Sequence, residues 1–259
     1  MSPLLTAFIF AFGAVIGSFL NAVLWRLHSG ESFVRGRSHC PACSHALAVL
    51  DLIPILSWLT LGGKCRYCRK GIGMSYLVIE LATGALFVLA VRSIAGFGII
   101  DATDLATVLF RWYLIATLVV VFVFDLRHML ILRSVTTPAI ILAAVGSLAL
   151  GMNPFSLLVG MAFGGGFFWL QYFLSKGRWV GGGDIQLGLL MGAILGWPMT
   201  MAAIFMAYIT GAIYGIAVLA MRRKGWKSEV PFGTFLSAST VAIMLWGEQI
   251  VVWYFGLLA

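Results

Sequence analysis

Long apolar runs recur along this 259-residue chain and restrict the folds open to it. A helix of about 20 apolar residues crosses the hydrocarbon core of a bilayer. With 61% hydrophobic and 10% charged residues, the chain has more apolar surface than a soluble core could bury. The pattern predicts an all-α polytopic membrane protein with about eight transmembrane helices, the sixth of them short. The runs cover residues 4–25, 74–91, 107–124, 135–151, 155–174, 185–197, 199–221 and 232–257.

The distribution of Lys and Arg tests this assignment, because cytoplasmic loops of membrane proteins are enriched in these residues. Only Arg92 and Arg111 fall on one side of the predicted membrane, whereas the other 15 of the 17 lie in alternate loops. This asymmetry predicts that both termini are outside and that four loops face the cytoplasm. The net charge of +8 then reflects topology and contact with anionic lipid, and nucleic acid is not expected as a partner. The four loops are residues 26–73, 125–134, 175–184 and 222–231.

The first of these loops contains all the cysteines of the chain, in two C-x-x-C pairs. Two such pairs can present four thiolates to one tetrahedral metal ion. A reducing cytoplasm favours zinc or another thiophilic metal, with disulfides or redox-active thiols as the alternatives. Four protein ligands close the site, so we expect a structural zinc that folds this loop. The predicted ligands are Cys40, Cys43, Cys65 and Cys68.

These patterns predict three segments. Residues 1–25 form the first transmembrane helix, and residues 26–73 form a small cytoplasmic zinc-binding domain between helices 1 and 2. Residues 74–259 form the remaining transmembrane domain.

Two aspartates lie at the cytoplasmic ends of predicted helices. Asp125 closes the third span, and Asp184 opens the sixth within Gly181-Gly182-Gly183-Asp184. Each alone is consistent with an interfacial carboxylate that is solvated, paired with a neighbouring Arg or, for Asp184, capping a helix. Two carboxylates at one depth, beside glycines that let a foreign backbone approach, are what a water-activating aspartyl protease requires. One would stay protonated to polarise the scissile carbonyl, while the other takes a proton from water.

A third carboxylate, Glu80, lies inside the second apolar run. A carboxylate in a membrane helix is costly and is therefore a functional candidate, although an ion pair with a loop Arg or Lys explains it equally well. The chain contains no G-x-S-x-G elbow, P-loop or H-E-x-x-H motif, which weakens the competing chemistries.

Taken in order, the motifs of the chain resemble those of the bifunctional prepilin peptidases, the GxGD-type membrane aspartyl proteases of type IV pilus and type II secretion systems. The resemblance covers nearly the whole chain. It comprises Gly17-Ser18-Phe19-Leu20-Asn21 with Arg26, Cys40-Pro41-x-Cys43, Asp51-x-Ile53-Pro54-x-x-Ser57-Trp58, Cys65-Arg66-x-Cys68, Tyr76-x-x-x-Glu80, Asp125 to Thr136-x-Pro138, Gly181-x-Gly183-Asp184 and Pro231-Phe232-Gly233.

The resemblance implies that Asp125 and Asp184 cut a prepilin or pseudopilin after the glycine that ends its short basic leader. It implies a location in the bacterial cytoplasmic (inner) membrane, with the catalytic face in the cytoplasm. It also implies methylation of the new N-terminal residue from S-adenosylmethionine, an activity that the family associates with the cysteine loop. We therefore expect Glu80 and Asp51 near the methyl donor. Glu229, beside the Pro-Phe-Gly motif, is predicted to contact the basic leader.

Two departures from the family pattern affect the expected site. Ile131-Leu132-Arg133 stands where the family usually has Ile-Pro followed by Asp or Asn, which predicts the loss of a helix break. Gln186 replaces the usual Lys two residues after Asp184 and removes a cation there.

Other readings of the intramembrane carboxylates remain open. An ion-coupled transporter would use Asp125, Asp184 and Glu80 to bind a cation or proton. An assembly factor without catalysis would use the zinc loop for docking. A peptidase without methyltransferase activity would keep only the aspartyl chemistry.

Overall fold

The computed structural model describes residues 1–32, 36–95, 101–221 and 231–258, which are mostly helical and contain no β-strand. Each predicted apolar run coincides with one helix, so the all-α fold class is confirmed. The short helix α2 and a 3₁₀ turn at Val49–Leu52 lie in the cysteine loop. The helices are α1 (Pro3–Ser29), α2 (Leu56–Thr60), α3 (Met74–Ala95), α4 (Ala102–His128), α5 (Arg133–Ala149), α6 (Pro154–Ser175), α7 (Gly182–Leu195), α8 (Met199–Ala220) and α9 (Phe232–Leu258).

By length and composition, five helices of the described chain can cross a membrane. They are α1, residues Met74–Ile94 of α3, α4, α6 and α8. Two further helices, α5 and α7, are apolar but shorter. Because α7 has 14 residues, its length of about 21 Å falls below the thickness of a hydrocarbon core. The chain is a multi-pass membrane protein, but the predicted count of eight spans is not confirmed.

The chain divides into two compact units, Met1–Ile100 and Asp101–Ala259. In this division α3 belongs with α1 in the first unit. The predicted segments 1–25, 26–73 and 74–259 divide the chain by expected function instead, and they stay a prediction. Glycine permits the close packing of α1 on α3: a Cβ at Gly17 would lie 2.8 Å from the Cα of Glu80. The side-chain amide of Asn21 on α1 donates to the Tyr76 carbonyl on α3 at 3.1 Å.

In the second unit, the core is built around α7. Leu187, Leu190 and Met191 of this helix are fully buried. Gly188 of α7 faces Gly164 of α6, and a Cβ on either residue would overlap the backbone of the other. This contact places α6 and α7 backbone to backbone, which fixes the position of the N-terminus of α7.

A helix break separates α4 from α5 even though the expected proline is absent. Met129 adopts the left-handed conformation at φ 53° and ψ 39°, and its N–H donates to the Asp125 carbonyl at 2.7 Å. A left-handed residue at this position ends an α-helix by itself. The prediction that the break is lost was therefore wrong, and the α4–α5 loop directs Ile131 toward the first turns of α7 and α9.

Candidate active site and metal centre

Asp125 lies one turn before the end of α4, and only 4% of its surface is exposed. Its Oδ2 accepts hydrogen bonds from the backbone N–H of Thr234 at 2.7 Å and from the Thr234 hydroxyl at 3.1 Å. Thr234 belongs to the first turn of α9, where unpaired N–H groups and the helix dipole favour a carboxylate. The sequence reasoning missed Thr234, although its position next to Pro231-Phe232-Gly233 is a signal that could have found it.

Asp184 lies in the first turn of α7 and is 9% exposed. Its Oδ2 accepts the N–H of Gly181 at 2.8 Å, so the side chain caps its own helix, as one sequence interpretation allowed. The cap holds the carboxyl at the cytoplasmic end predicted for α7.

Ile131 of the α4–α5 loop contacts residues next to both aspartates. A Cβ at Gly183 would lie 2.7 Å from the Cβ of Ile131, and a Cβ at Gly233 would lie 3.0 Å from both Ile131 Cδ1 and Asp125 Cγ. The first turns of α7 and α9 therefore pack on the same side chain. The two carboxyl groups are close enough to interact electrostatically. Asp184 also interacts in this way with Tyr208 of α8, which the sequence reasoning did not identify.

The glycines beside Asp184 differ in their surroundings. The space beside Gly183 is filled by Ile131, so this residue serves packing. A Cβ at Gly181 would meet Asp184 Oδ2 at 3.6 Å and the Gly183 nitrogen at 3.9 Å, and a Cβ at Gly182 would meet the Arg133 side chain at 3.7 Å. These are ordinary contact distances, and Gly181 is the exposed residue of this segment, so a substrate backbone can approach there.

Gln186, one of the departures from the family pattern, accepts a hydrogen bond of 2.6 Å from the hydroxyl of Thr136. Thr136 is fully buried on α5. This hydrogen bond links α5 to α7 two residues after Asp184. Gln186 therefore joins two helices at a position where the Lys of the family pattern would place a positive charge.

In the first unit, the two C-x-x-C segments fold alike. The N–H of Cys40 donates to the His45 carbonyl and the N–H of Cys65 donates to the Lys70 carbonyl, at 3.0 and 2.9 Å. Ser44 and Arg69 take the matching left-handed positions, at φ 56° and 59°. The two turns are thus equivalent knuckles, built from local sequence, whose cysteines could hold a metal.

The four sulfurs converge as a metal site requires. Their Sγ atoms all lie within 4.8 Å of one another, and Cys40 and Cys68 are 3.9 Å apart. A tetrahedral zinc with Zn–S bonds of about 2.3 Å needs sulfurs about 3.8 Å apart. The residues therefore fit zinc.

Asp51 holds the second knuckle against the rest of the loop. Its carboxylate accepts hydrogen bonds from Arg66 Nε at 2.6 Å, from the Tyr67 hydroxyl at 3.1 Å and from the Ala48 N–H at 3.1 Å. Burial disfavours the ionised form, but the hydrogen bonds from Arg66, Ala48 and Tyr67 outweigh it and lower the pKa of Asp51 below its ordinary value.

Glu80 is 7% exposed and is held by neutral groups. Its Oε2 accepts the Ile55 N–H at 2.7 Å, and the Ser18 side chain also hydrogen-bonds to the carboxylate. The partners found for Glu80 among the described residues are these neutral groups, and the ion pair that the sequence allowed is not found there. The predicted leader contact, Glu229, lies outside the described residues.

Comparisons with known proteins agree with the division of the chain into the units Met1–Ile100 and Asp101–Ala259. Residues 11–94 match the family described as "Bacterial Peptidase A24 N-terminal domain", and residues 112–216 match the "Type IV leader peptidase family". No solved structure gives a significant match.

Three curated relatives, each named "Prepilin leader peptidase/N-methyltransferase", show the extent of the similarity. The Aeromonas salmonicida (strain A449) protein is 30% identical over 95% of this chain and 92% of its own length. The Bacillus subtilis (strain 168) protein is 33% identical over 95% and 96%. The Myxococcus xanthus (strain DK1622) protein is 35% identical over 88% and 67%.

Proposed function

We propose that this chain, which belongs to the type IV leader peptidase family, removes the leader of a prepilin or pseudopilin and then methylates the new N-terminal residue. The observation that carries the proposal is the convergence of two buried, interacting carboxyl groups. Asp125 of α4 is hydrogen-bonded to the first turn of α9, and Asp184 lies in the first turn of α7. The same comparisons do not favour a transporter.

In the cleavage step, one carboxyl of the pair donates a hydrogen bond to the scissile carbonyl oxygen, and the other takes a proton from water. The resulting hydroxide attacks the carbonyl carbon. When the C–N bond breaks, the amide nitrogen receives a proton and leaves as the new N-terminal amine. Thr234 and Gly181 orient Asp125 and Asp184 through the hydrogen bonds that these carboxyls accept.

In the second step, the new amine nitrogen forms a bond to the methyl carbon of S-adenosylmethionine. The C–S bond breaks, its electron pair stays on the sulfur, and the amine loses one proton. We assign this reaction to the first unit, whose matched family is the N-terminal peptidase domain. Zinc bound by the four cysteines would be structural there, because protein sulfurs fill all four positions.

The placement in the membrane is also part of the proposal. With 15 of the 17 Lys and Arg residues in alternate loops, we place these loops in the cytoplasm and both termini outside. The aspartate pair then faces the cytoplasm, where Gly181 gives a substrate backbone room and Glu229 contacts the basic leader.

The experiment that tests the function is an intact-mass measurement. A prepilin peptide is incubated with the purified protein, with and without S-adenosylmethionine. We expect loss of the leader in both samples and one added methyl group only with the donor. Cleavage without methylation would leave a peptidase alone, and an uncut prepilin under both conditions would contradict the proposal.

Replacing Gly183 with Ala is expected to lower cleavage at least about tenfold. The added Cβ would lie 2.7 Å from Ile131 Cβ, so the first turn of α7 must move and carry Asp184 with it. The matched control is Gly182→Ala, whose Cβ meets only the Arg133 side chain at 3.7 Å. Initial cleavage rates of the two variants should differ; equal rates would show that the packing on Ile131 does not position Asp184.

Replacing Thr234 with Val should lower kcat about tenfold with little change in KM, because a hydrogen bond to a charged group contributes about 1.5–3 kcal/mol. The backbone N–H bond to Asp125 remains in this variant, and Thr234→Ser should restore the rate. Thr240→Val is the matched control, since the Thr240 hydroxyl donates within α9 to the Leu236 carbonyl. A Thr234→Val enzyme with wild-type kcat would refute the positioning role.

A further inference from the structure

The first unit contains a cavity of about 330 Å³, a size in the range of small-molecule sites. The cysteine loop and the facing parts of α1 and α3 form its walls. Aromatic rings, two carboxylates and one side-chain amide line it. The lining residues include Asn21, Trp25, Asp51, Trp58, Tyr76 and Glu80.

One acceptor in this wall lacks a partner. Asn21 is 5% exposed, and its Nδ2 donates to the Tyr76 carbonyl at 3.1 Å. Its Oδ1 has no hydrogen-bond partner among the residues that the structure describes. A buried carbonyl oxygen left unpaired costs about 1–3 kcal/mol, so the cavity favours a ligand that brings an N–H or O–H donor.

The Glu80 carboxylate lines the same cavity and accepts hydrogen bonds from the Ile55 N–H and the Ser18 side chain. Ile55 adopts φ 64° and ψ −55°, a positive-φ conformation close to that of a classic γ-turn, which is strained for a β-branched residue. Strain that aims an N–H at a carboxylate is typical of a binding site. Because its partners in the described part of the chain are neutral, the carboxylate still favours a cation.

We propose that this cavity binds S-adenosylmethionine, and that Asn21 and Glu80 recognise it. The proposal rests on the proposed methyltransferase function and locates its donor. The permanently positive sulfonium matches the Glu80 carboxylate, and the amino and hydroxyl groups of the adenosine supply the donor that Asn21 Oδ1 lacks. The rings of Trp25, Trp58 and Tyr76 offer aromatic surface for the adenine and for the cation.

Asp51 has a different part in this site. Its carboxylate already accepts three hydrogen bonds, two of them from Arg66 and Tyr67 of the second knuckle. It therefore shapes the wall and links the metal site to the cavity, while Glu80 meets the ligand.

The test compares a charged ligand with an uncharged one. Binding of radiolabelled S-adenosylmethionine and of its neutral product S-adenosylhomocysteine is measured by equilibrium dialysis on the full zinc-loaded chain in lipid nanodiscs. Glu80→Gln should weaken binding of the sulfonium compound about tenfold and change binding of the neutral compound little. Asn21→Leu should weaken both about tenfold, because both carry the adenosine.

The controls make the same chemical changes on α9, with Glu248→Gln and Gln249→Leu, and should bind both ligands as the wild type does. Wild-type binding by both cavity variants would overturn the proposal and leave the methyltransferase function standing. A wild-type protein that neither binds nor uses the donor would overturn both. If Asn21→Leu loses its zinc or its helical circular dichroism, the isosteric Glu80→Gln variant decides alone.

Discussion

Asparagine in place of Asp125 or Asp184 is expected to lower prepilin cleavage at least about a thousandfold, with the fold and the zinc content unchanged. Asn is isosteric with Asp and keeps an oxygen for the Thr234 and Gly181 donors. It can neither take a proton from water nor donate as a carboxylic acid does. Since the two groups act as a pair, the double variant should lose little more than each single variant.

The measurement is the initial rate of leader removal by intact mass. The matched control is Asp104→Asn, at the opposite end of the helix that carries Asp125, where the Asp104 carboxylate accepts the Asp101 N–H. This variant should cleave as the wild type does. Cleavage that survives both Asp125→Asn and Asp184→Asn would exclude the aspartyl mechanism and favour a scaffold that carries no catalysis.

Removal of the zinc, or Cys65→Ser, is expected to unfold residues 36–73 and abolish methylation. In the described part of this segment, the only buried hydrophobic side chains are those of Cys40 and Cys65, so no hydrophobic core replaces the metal. Structural zinc contributes about 10–16 kcal/mol to the folding of small domains. Cleavage should fall far less, because Asp125, Asp184 and their partners all belong to the unit Asp101–Ala259.

Two readouts check this prediction. Trypsin should cut at Lys64 and Arg69 in the chelated protein and not in the zinc-loaded one, and donor binding should disappear together with protection. Added zinc should restore both in the wild type but not in Cys65→Ser. Methylation at the wild-type rate by a protein shown to be free of metal would contradict a structural role for the cluster.

Sequence reasoning located the helices because a bilayer demands long apolar runs whose backbone groups pair within the run. It did not settle how many cross the membrane, since α5 and α7 are apolar but too short to be assigned by length. It was wrong about the end of α4, where the left-handed Met129 stops the helix without a proline.

The sequence by itself determined the elements whose cause is local. Apolar periodicity makes the helices, and each C-x-x-C turn aims two sulfurs at one point, so the fold class and the cysteine cluster could be read directly. The tertiary structure alone decided which side chains meet: Thr234 reaches Asp125 across 109 residues, and Ile131 fills the space beside Gly183. It also left the Asn21 side-chain oxygen without a partner in the described part of the chain, and it placed the Ile55 N–H against Glu80. Such contacts depend on how glycine-lined helices pack, and packing is a property of several distant segments together.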